Sequence, residues 1–337
     1  MRFSIGVDMR DPYPEIIRSA VLAEEMGYDI LWIPDEMFEK DPYAVMAACA
    51  IKTRRIGLGI GVTNPYTRSP VVTARAIATC AEISGGRAIL GLGAGNPTLA
   101  NGVGIQLEKP AELVRETAVA IRELLHNQKV VLERKECVLR EVSLDFNVTH
   151  SIPIYIAGRG ARILETGGKV GDGVIAGAGL ATPNGMRYAL QHIARGSANV
   201  GRELSELDIV CWAFSSLSEQ VEEARDCVRP MIAFILRSIP AKVLQSIGLP
   251  PETCSAVKRS FTEEPDLQRS TKKLRELIDD RYVDQFSIVG STEDCIKRVK
   301  ELREAGVNHL GILPFANPSL RTSDIIKRFR NEVVSNL

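Results

Sequence analysis

The chain has 337 residues, 45% of them hydrophobic, and its 42 Lys and Arg balance 42 Asp and Glu. That length and apolar content suffice for one large core, while a zero net charge offers no long-range field for nucleic acid or an anionic membrane. The opening MRFSIGVDMRDP has no cationic leader ahead of an apolar run, and no stretch approaches the roughly eighteen apolar residues of a membrane span, so a cytoplasmic protein with a small-molecule substrate is expected.

Short aliphatic runs followed by turn signals and helix-length amphipathic segments recur along the chain, which is the rhythm of βα units. The predicted strands are Phe3–Val7, Asp29–Ile33, Ile56–Val62, Ala88–Leu92, Ile154–Ala157, Gly173–Ile175, Asp208–Phe214 and Asn308–Leu313. The predicted helices are Glu15–Met26, Pro42–Lys52, Pro70–Ser84, Pro110–His126, Ala161–Val170, Asn184–Val200, Ser218–Ile239 and Thr292–Ala305. Ser69-Pro70, Thr182-Pro183 and Ser291-Thr292-Glu293-Asp294 supply helix starts, Asp11 is expected to cap the first helix, and Gly27, Gly201 and Gly306 fall where helices should stop. Eight such units in one chain predict an α/β fold, a closed (β/α)8 TIM barrel forming a single domain over residues 1–337.

Two intervals exceed simple loops. Residues 127–151 contain the alternating stretch Lys129–Glu133, consistent with a small hairpin, and residues 241–284 read as a helical insertion before the last strand. The second either caps part of the barrel mouth or forms a subunit surface, and a homodimer or higher homo-oligomer is expected. Seven scattered cysteines without a C-x-x-C pair predict free thiols, and four separated histidines predict no metal site and only structural or surface roles.

In a barrel of this kind the loops leaving the carboxyl ends of the strands build the site. Glycine-rich strand ends occur at Gly61, Gly91–Gly95, Ala157-Gly158-Arg159-Gly160-Ala161 and Gly177-Ala178-Gly179. Taken together, they predict close approach of main-chain amides to a ligand. Gly158-Arg159-Gly160 opening a helix combines free N–H groups, the helix dipole and a guanidinium, a plausible phosphate cradle. The GLGAGN run is no dinucleotide fingerprint, because Asn-Pro-Thr follows instead of a helix opening onto a diphosphate.

The segment GVTNPYTRSPVVTARAIATCAEISGGRAILGLGAGN resembles the luciferase-like flavin and deazaflavin barrel family. Within it, the likeness is greatest to the deazaflavin-dependent methylenetetrahydromethanopterin reductases of methanogenic archaea. The opening MRFSIGV, Trp32-Ile33-Pro34-Asp35, Ile152–Ala157 and Phe286–Ser291 extend the likeness over nearly the whole chain. The resemblance implies coenzyme F420, with FMN as the alternative, its ring across the barrel mouth and its phosphate tail over Ala157–Ala161 and Gly177-Ala178. It implies a non-proline cis peptide at Gly61–Val62 beneath the ring, with Thr63, Asn64 and Asp35 at the ring's polar rim. Three positions depart from the pattern. Asp-His after the second strand is Asp35-Glu36 here, a carboxylate after the fourth strand is Asn96, and a strand-one Glu is Gly6.

Glu36 is the first choice for acid/base work, since Asp35 beside it should raise its pKa; a solvated loop carboxylate is the competing reading. Asp8 is next. Asn96 positions a group rather than carrying a proton. Arg68 either reaches an anionic tail or serves a surface ion pair, and Trp212 either lines the substrate side or, the reading favoured, packs outward beneath a helix. Function is read as F420-dependent hydride transfer. The other readings are an FMN-dependent monooxygenase of the same superfamily and a cofactor-binding protein without turnover.

Overall fold

A computed structural model of the chain describes residues 1–239, 241–248, 250, 252, 255–257, 259–260 and 271–337. Cys254 and, within the expected 241–284 insertion, residues 249, 251, 253, 258 and 261–270 lie outside the described residues. The strands are β1 (Arg2–Gly6), β2 (Ile30–Ile33), β3 (Gly57–Thr63), β4 (Ala88–Gly93), β5 (Val130–Glu133), β6 (Val138–Val142), β7 (Ile154–Gly158), β8 (Gly173–Ala176), β9 (Asp208–Leu217), β10 (Ser287–Gly290) and β11 (His309–Pro314).

Parallel pairing runs from β11 through β1, β2, β3, β4, β7 and β8 to β9, and β9 pairs back onto β11. This closes the eight-stranded barrel expected from the sequence and leaves no barrel edge exposed. The hairpin β5–β6 forms inside the 127–151 interval. β10 was not anticipated as a strand. It pairs with the far end of β9, Ser287 opposite Phe214 through Gly290 opposite Leu217, beyond the residues that β8 uses. With only four residues, fully buried, it carries no alternation by which to be recognised.

Helix starts follow the predicted chemistry at Ser69, Thr182 and Ser291, whose side-chain oxygens accept amide hydrogen bonds from the first turn. Asp11 does not cap the first helix. Pro12 holds that position, without a side-chain cap, because the helix begins at Tyr13 with Pro14 inside its first turn. Six of the cysteines are described and all six are free. Among the described residues, no helix is long and apolar enough to cross a membrane, and no group of three His, Cys, Asp or Glu could hold a metal.

Two apolar regions stabilise the fold. Outward-facing residues such as Ile5, Leu31, Ile33, Leu58 and Leu90 meet the surrounding helices, whereas Ile30, Trp32, Tyr155, Ile175 and Val210 fill the barrel interior. Period-two alternation separates the two sets. Trp32 is fully buried, and its ring lies 2.3 Å from where a Cβ on Gly59 would stand, so β3 accommodates this ring only by omitting a side chain.

The barrel floor is polar and satisfied. Trp32 Nε1–H donates to Ser4 Oγ at 3.0 Å, Ser4 Oγ lies 2.9 Å from His309 Nε2, and His309 Nδ1 lies 2.9 Å from Asp208. With Asp208 an acceptor, Nδ1 carries the proton and the Ser4 hydroxyl donates to Nε2. Tyr155 and Arg2 also donate to Asp208. This arrangement bears out a structural role for His309.

Candidate active site

The carboxyl ends of β2 and β3 bring together most of the polar residues singled out in the sequence. Thr63, fully buried, donates its hydroxyl to Asp35 Oδ2 at 2.6 Å, and Arg68 Nε stands 3.4 Å from the same oxygen. Arg68 also pairs with Asp41, the cap of the helix Pro42–Lys52, and its guanidinium lies 4.9 Å over the Tyr43 ring. Arg68 is therefore a wall residue with its charge already matched, which favours the ion-pair reading. Burial and the nearby Asp35 carboxylate push the Tyr43 phenol well above its usual range.

The Gly61–Val62 peptide is cis, as the resemblance implied. The register between β3 and β4 shifts between Ile60 and Thr63, so the strand bulges there. Facing it, a Cβ on Gly91 would lie 2.2 Å from the Ile60 carbonyl oxygen, and one on Gly93 would lie 2.9 Å from a Val62 methyl. These two glycines make room for the bulge. Asn64 is buried, and its Oδ1 accepts from the amides of Tyr66 and Thr67, fixing the turn that follows. Its amide nitrogen remains the group able to face the mouth. Asn96, at the end of the β4 glycine run, is half-buried and accepts the Ala100 amide on its main-chain oxygen.

Glu36 sits between the loops after β1 and β2, in a group with Asp8, Arg10 and Glu39. Its side chain is open to water in the mouth. The surrounding barrel wall nevertheless desolvates the carboxyl, and Glu39 and Asp35 add negative charge, so its pKa is pushed up to about 7. Arg10 opposes the shift, but its guanidinium is held by Asp8 through paired hydrogen bonds. Desolvation contributes more than Asp35, the neighbour that sequence reasoning had singled out. The Asp8 carboxyl, although desolvated, is held below its usual range by Arg10, which makes it the poorer proton carrier near neutrality.

On the other side of the mouth, β7 and β8 end together. Gly177 N–H donates to the Gly158 carbonyl at 3.1 Å, and Ala157, Gly158, Arg159, Gly160, Ala161, Gly177 and Ala178 are all partly exposed there. Gly160 is the N-cap of the helix Ala161–Val170 and supplies no side-chain cap. Arg159 Nη1 donates to Ser238 Oγ at 3.1 Å and approaches the Ala178 carbonyl at 3.5 Å. Among the described residues no carboxylate offsets its desolvation, and its pKa is accordingly lowered. A guanidinium with no carboxylate partner among the described residues, beside a helix N-terminus without a side-chain cap, has the chemistry to bind an anion.

Trp212 does not pack outward beneath a helix, as the sequence reading favoured. Its indole turns into the barrel against the interior cluster and is only partly buried. A cavity of about 570 Å³ lined by Arg122, His126, His150 and Asp172 lies at the opposite, amino-terminal end, since Pro153 and Asp172 precede β7 and β8. It is remote from these loops.

The model of the family described as luciferase-like monooxygenase matches residues 2–309. The chain belongs to this family. This luciferase-like barrel is 35% identical over 310 residues, 92% of each chain, to the 5,10-methylenetetrahydromethanopterin reductase of Archaeoglobus fulgidus. It is 33% identical to the enzyme of the same name from Methanolobus tindarius, over 92% of this chain and 93% of that one. Among solved structures, the coenzyme F420 dependent tetrahydromethanopterin reductase of Methanopyrus kandleri superposes with a TM-score of 0.86 at 27% identity, covering 99% of this chain and 98% of that one.

Proposed function

We propose that this protein is a coenzyme F420-dependent oxidoreductase that transfers hydride between the deazaflavin and a small substrate, with methylenetetrahydromethanopterin as that substrate. The observation that carries the reading is the 35% identity to a reductase of that name across nearly the full length of both chains. The mouth suits an anionic group, because Arg159, hydrogen-bonded to Ser238 Oγ beside the helix N-terminus at Gly160, has no carboxylate partner among the described residues.

When bound, the deazaflavin supplies the hydride chemistry. Arg159 and the amides of Gly160 and Ala161 bind the phosphate, with Ala157, Gly158, Gly177 and Ala178 shaping the groove around it. Gly61, Val62 and Thr63 support the ring; Asp35 and Asn64 meet its polar edge. Glu36 exchanges a proton with the substrate, a role suited to a carboxyl that titrates near neutrality. Asn96 orients the substrate through hydrogen bonds. Residues 1–337 act as one barrel domain with insertions at about 127–151 and 241–284, in the cytoplasm, as a homodimer or higher homo-oligomer.

The test is to mix the purified protein with F420 and with FMN separately and measure binding from cofactor absorbance. Oxidation of reduced F420 is then followed with methylenetetrahydromethanopterin as hydride acceptor. Tight binding of F420 and turnover are expected. Retention of FMN alone, or F420 binding without any turnover, would replace this reading with a flavin monooxygenase or a non-catalytic cofactor carrier.

A further inference from the structure

Inward-facing positions alternate along each strand, and three neighbouring strands show an unusual division of volume. β9 presents Trp212, directly paired with Gly311 on β11, and β11 in turn adjoins β1, which ends at Gly6. A Cβ on Gly311 would lie 2.8 Å from Trp212 Cε3, and a Cβ on Gly6 would lie 2.7 Å from Trp212 Cη2. The six-membered end of the indole therefore spans from its own strand across β11 to β1, and both glycines exist beneath it. Leu313 Cδ1, 3.0 Å from the same Gly6 position, borders the ring.

The layer below is sealed by Trp32 and Val210, neither with any exposed surface. The residual exposure of Trp212 thus faces upward, into the mouth. The cofactor groups proposed above occupy the ends of β2, β3, β7 and β8, which leaves the β9–β11–β1 sector for the part of the substrate away from Glu36 and Asn96. Polar groups dominate the β2–β3 wall, whereas this sector offers an aromatic surface bordered by Leu313.

We propose that Trp212 is the substrate platform, on which a planar fused-ring portion of the substrate, of the pterin kind, stacks beside the cofactor. This assignment rests on the F420 reading of the same mouth. An indole face selects flat, polarisable rings over compact aliphatic ones through offset stacking. Ring-on-aromatic stacking of this kind is worth about 10-fold or more in affinity when the aromatic is removed.

The experiment uses the intact protein, with F420 for binding and reduced F420 with methylenetetrahydromethanopterin for turnover, comparing the parent with Trp212→Phe, Trp212→Ala and Gly6→Ala. F420 affinity is read first, from the cofactor's own fluorescence, and is expected to be unchanged in all four. KM for the pterin should rise about 10-fold in Trp212→Ala and much less in Trp212→Phe, which keeps a ring. Gly6→Ala, which forces the indole to move, should raise KM in the same way. Tryptophan emission, corrected for pterin absorbance, should be quenched by pterin in F420-saturated parent and not in Trp212→Phe, where only the buried Trp32 remains. Unchanged KM in both Trp212→Ala and Gly6→Ala, or a quench that persists in Trp212→Phe, would overturn the platform while leaving F420 binding intact. Failure of the parent to bind F420 would instead overturn the functional reading, and the platform with it.

Discussion

The Thr63 hydroxyl donates a 2.6 Å hydrogen bond to Asp35 Oδ2, tying the end of β3 to the loop after β2. Because the donor is fully buried and its partner is a carboxyl oxygen, removing the hydroxyl should cost about 1–3 kcal/mol. Thr63→Val, measured by urea unfolding, is expected to fall in that range, and Thr63→Ser should restore most of the loss. A Thr63→Val protein as stable as the parent would show that Arg68 alone satisfies Asp35.

Arg159 predicts the opposite balance. Its guanidinium is desolvated with no carboxylate partner among the described residues, so Arg159→Ala should leave the melting temperature of the cofactor-free protein unchanged or slightly raised. Cofactor affinity should fall about 10-fold or more, as for loss of a charge-assisted phosphate contact. Equal affinities in an F420 titration would remove Arg159 from the cradle.

For Glu36, the raised pKa fixes the sign of the pH effect. The carboxyl is protonated below about 7 and able to donate there, so in the direction that delivers a proton to substrate, kcat/KM should decline as pH rises through that value. Glu36→Gln should keep F420 affinity, lose that limb and slow turnover by about 10²–10⁴-fold. Full rate at every pH would make Glu36 idle and leave the proton to water or the substrate.

Glu24 offers a test far from the mouth. Its carboxylate accepts the amides of Arg54, Arg55 and Ile56 at 2.8, 2.5 and 2.9 Å, capping the chain as it enters β3. Desolvation opposes ionisation, but these three amides outweigh it and hold the pKa below the usual range. The stabilisation is therefore present above the ordinary carboxylate value of about 4.3 and lost as pH falls through the folded-state value. Glu24→Gln should cost about 1–2 kcal/mol at neutral pH and little in acid. A loss of equal size at both pH values would assign the effect to packing.

Repeating local chemistry made the barrel legible in the sequence. Each aliphatic run, proline-started helix and terminal glycine is a short-range signal, and eight repeats of it have one closed solution. The loop motif from Gly61 to Asn96 likewise pointed to the family and to the cis peptide, because its residues are contiguous. What the sequence left open depends on residues far apart in the chain. The reason for Gly91 and Gly93 is a bulge some thirty positions earlier, and the pairing of Arg159 with Ser238, 79 positions on, is a property of space, not of spacing. The sequence favoured an outward Trp212, wrongly, since alternation gives a period but no phase for a strand buried on both faces. Only closure of the barrel, which sets the indole over Gly311 and Gly6, decides that it faces the mouth.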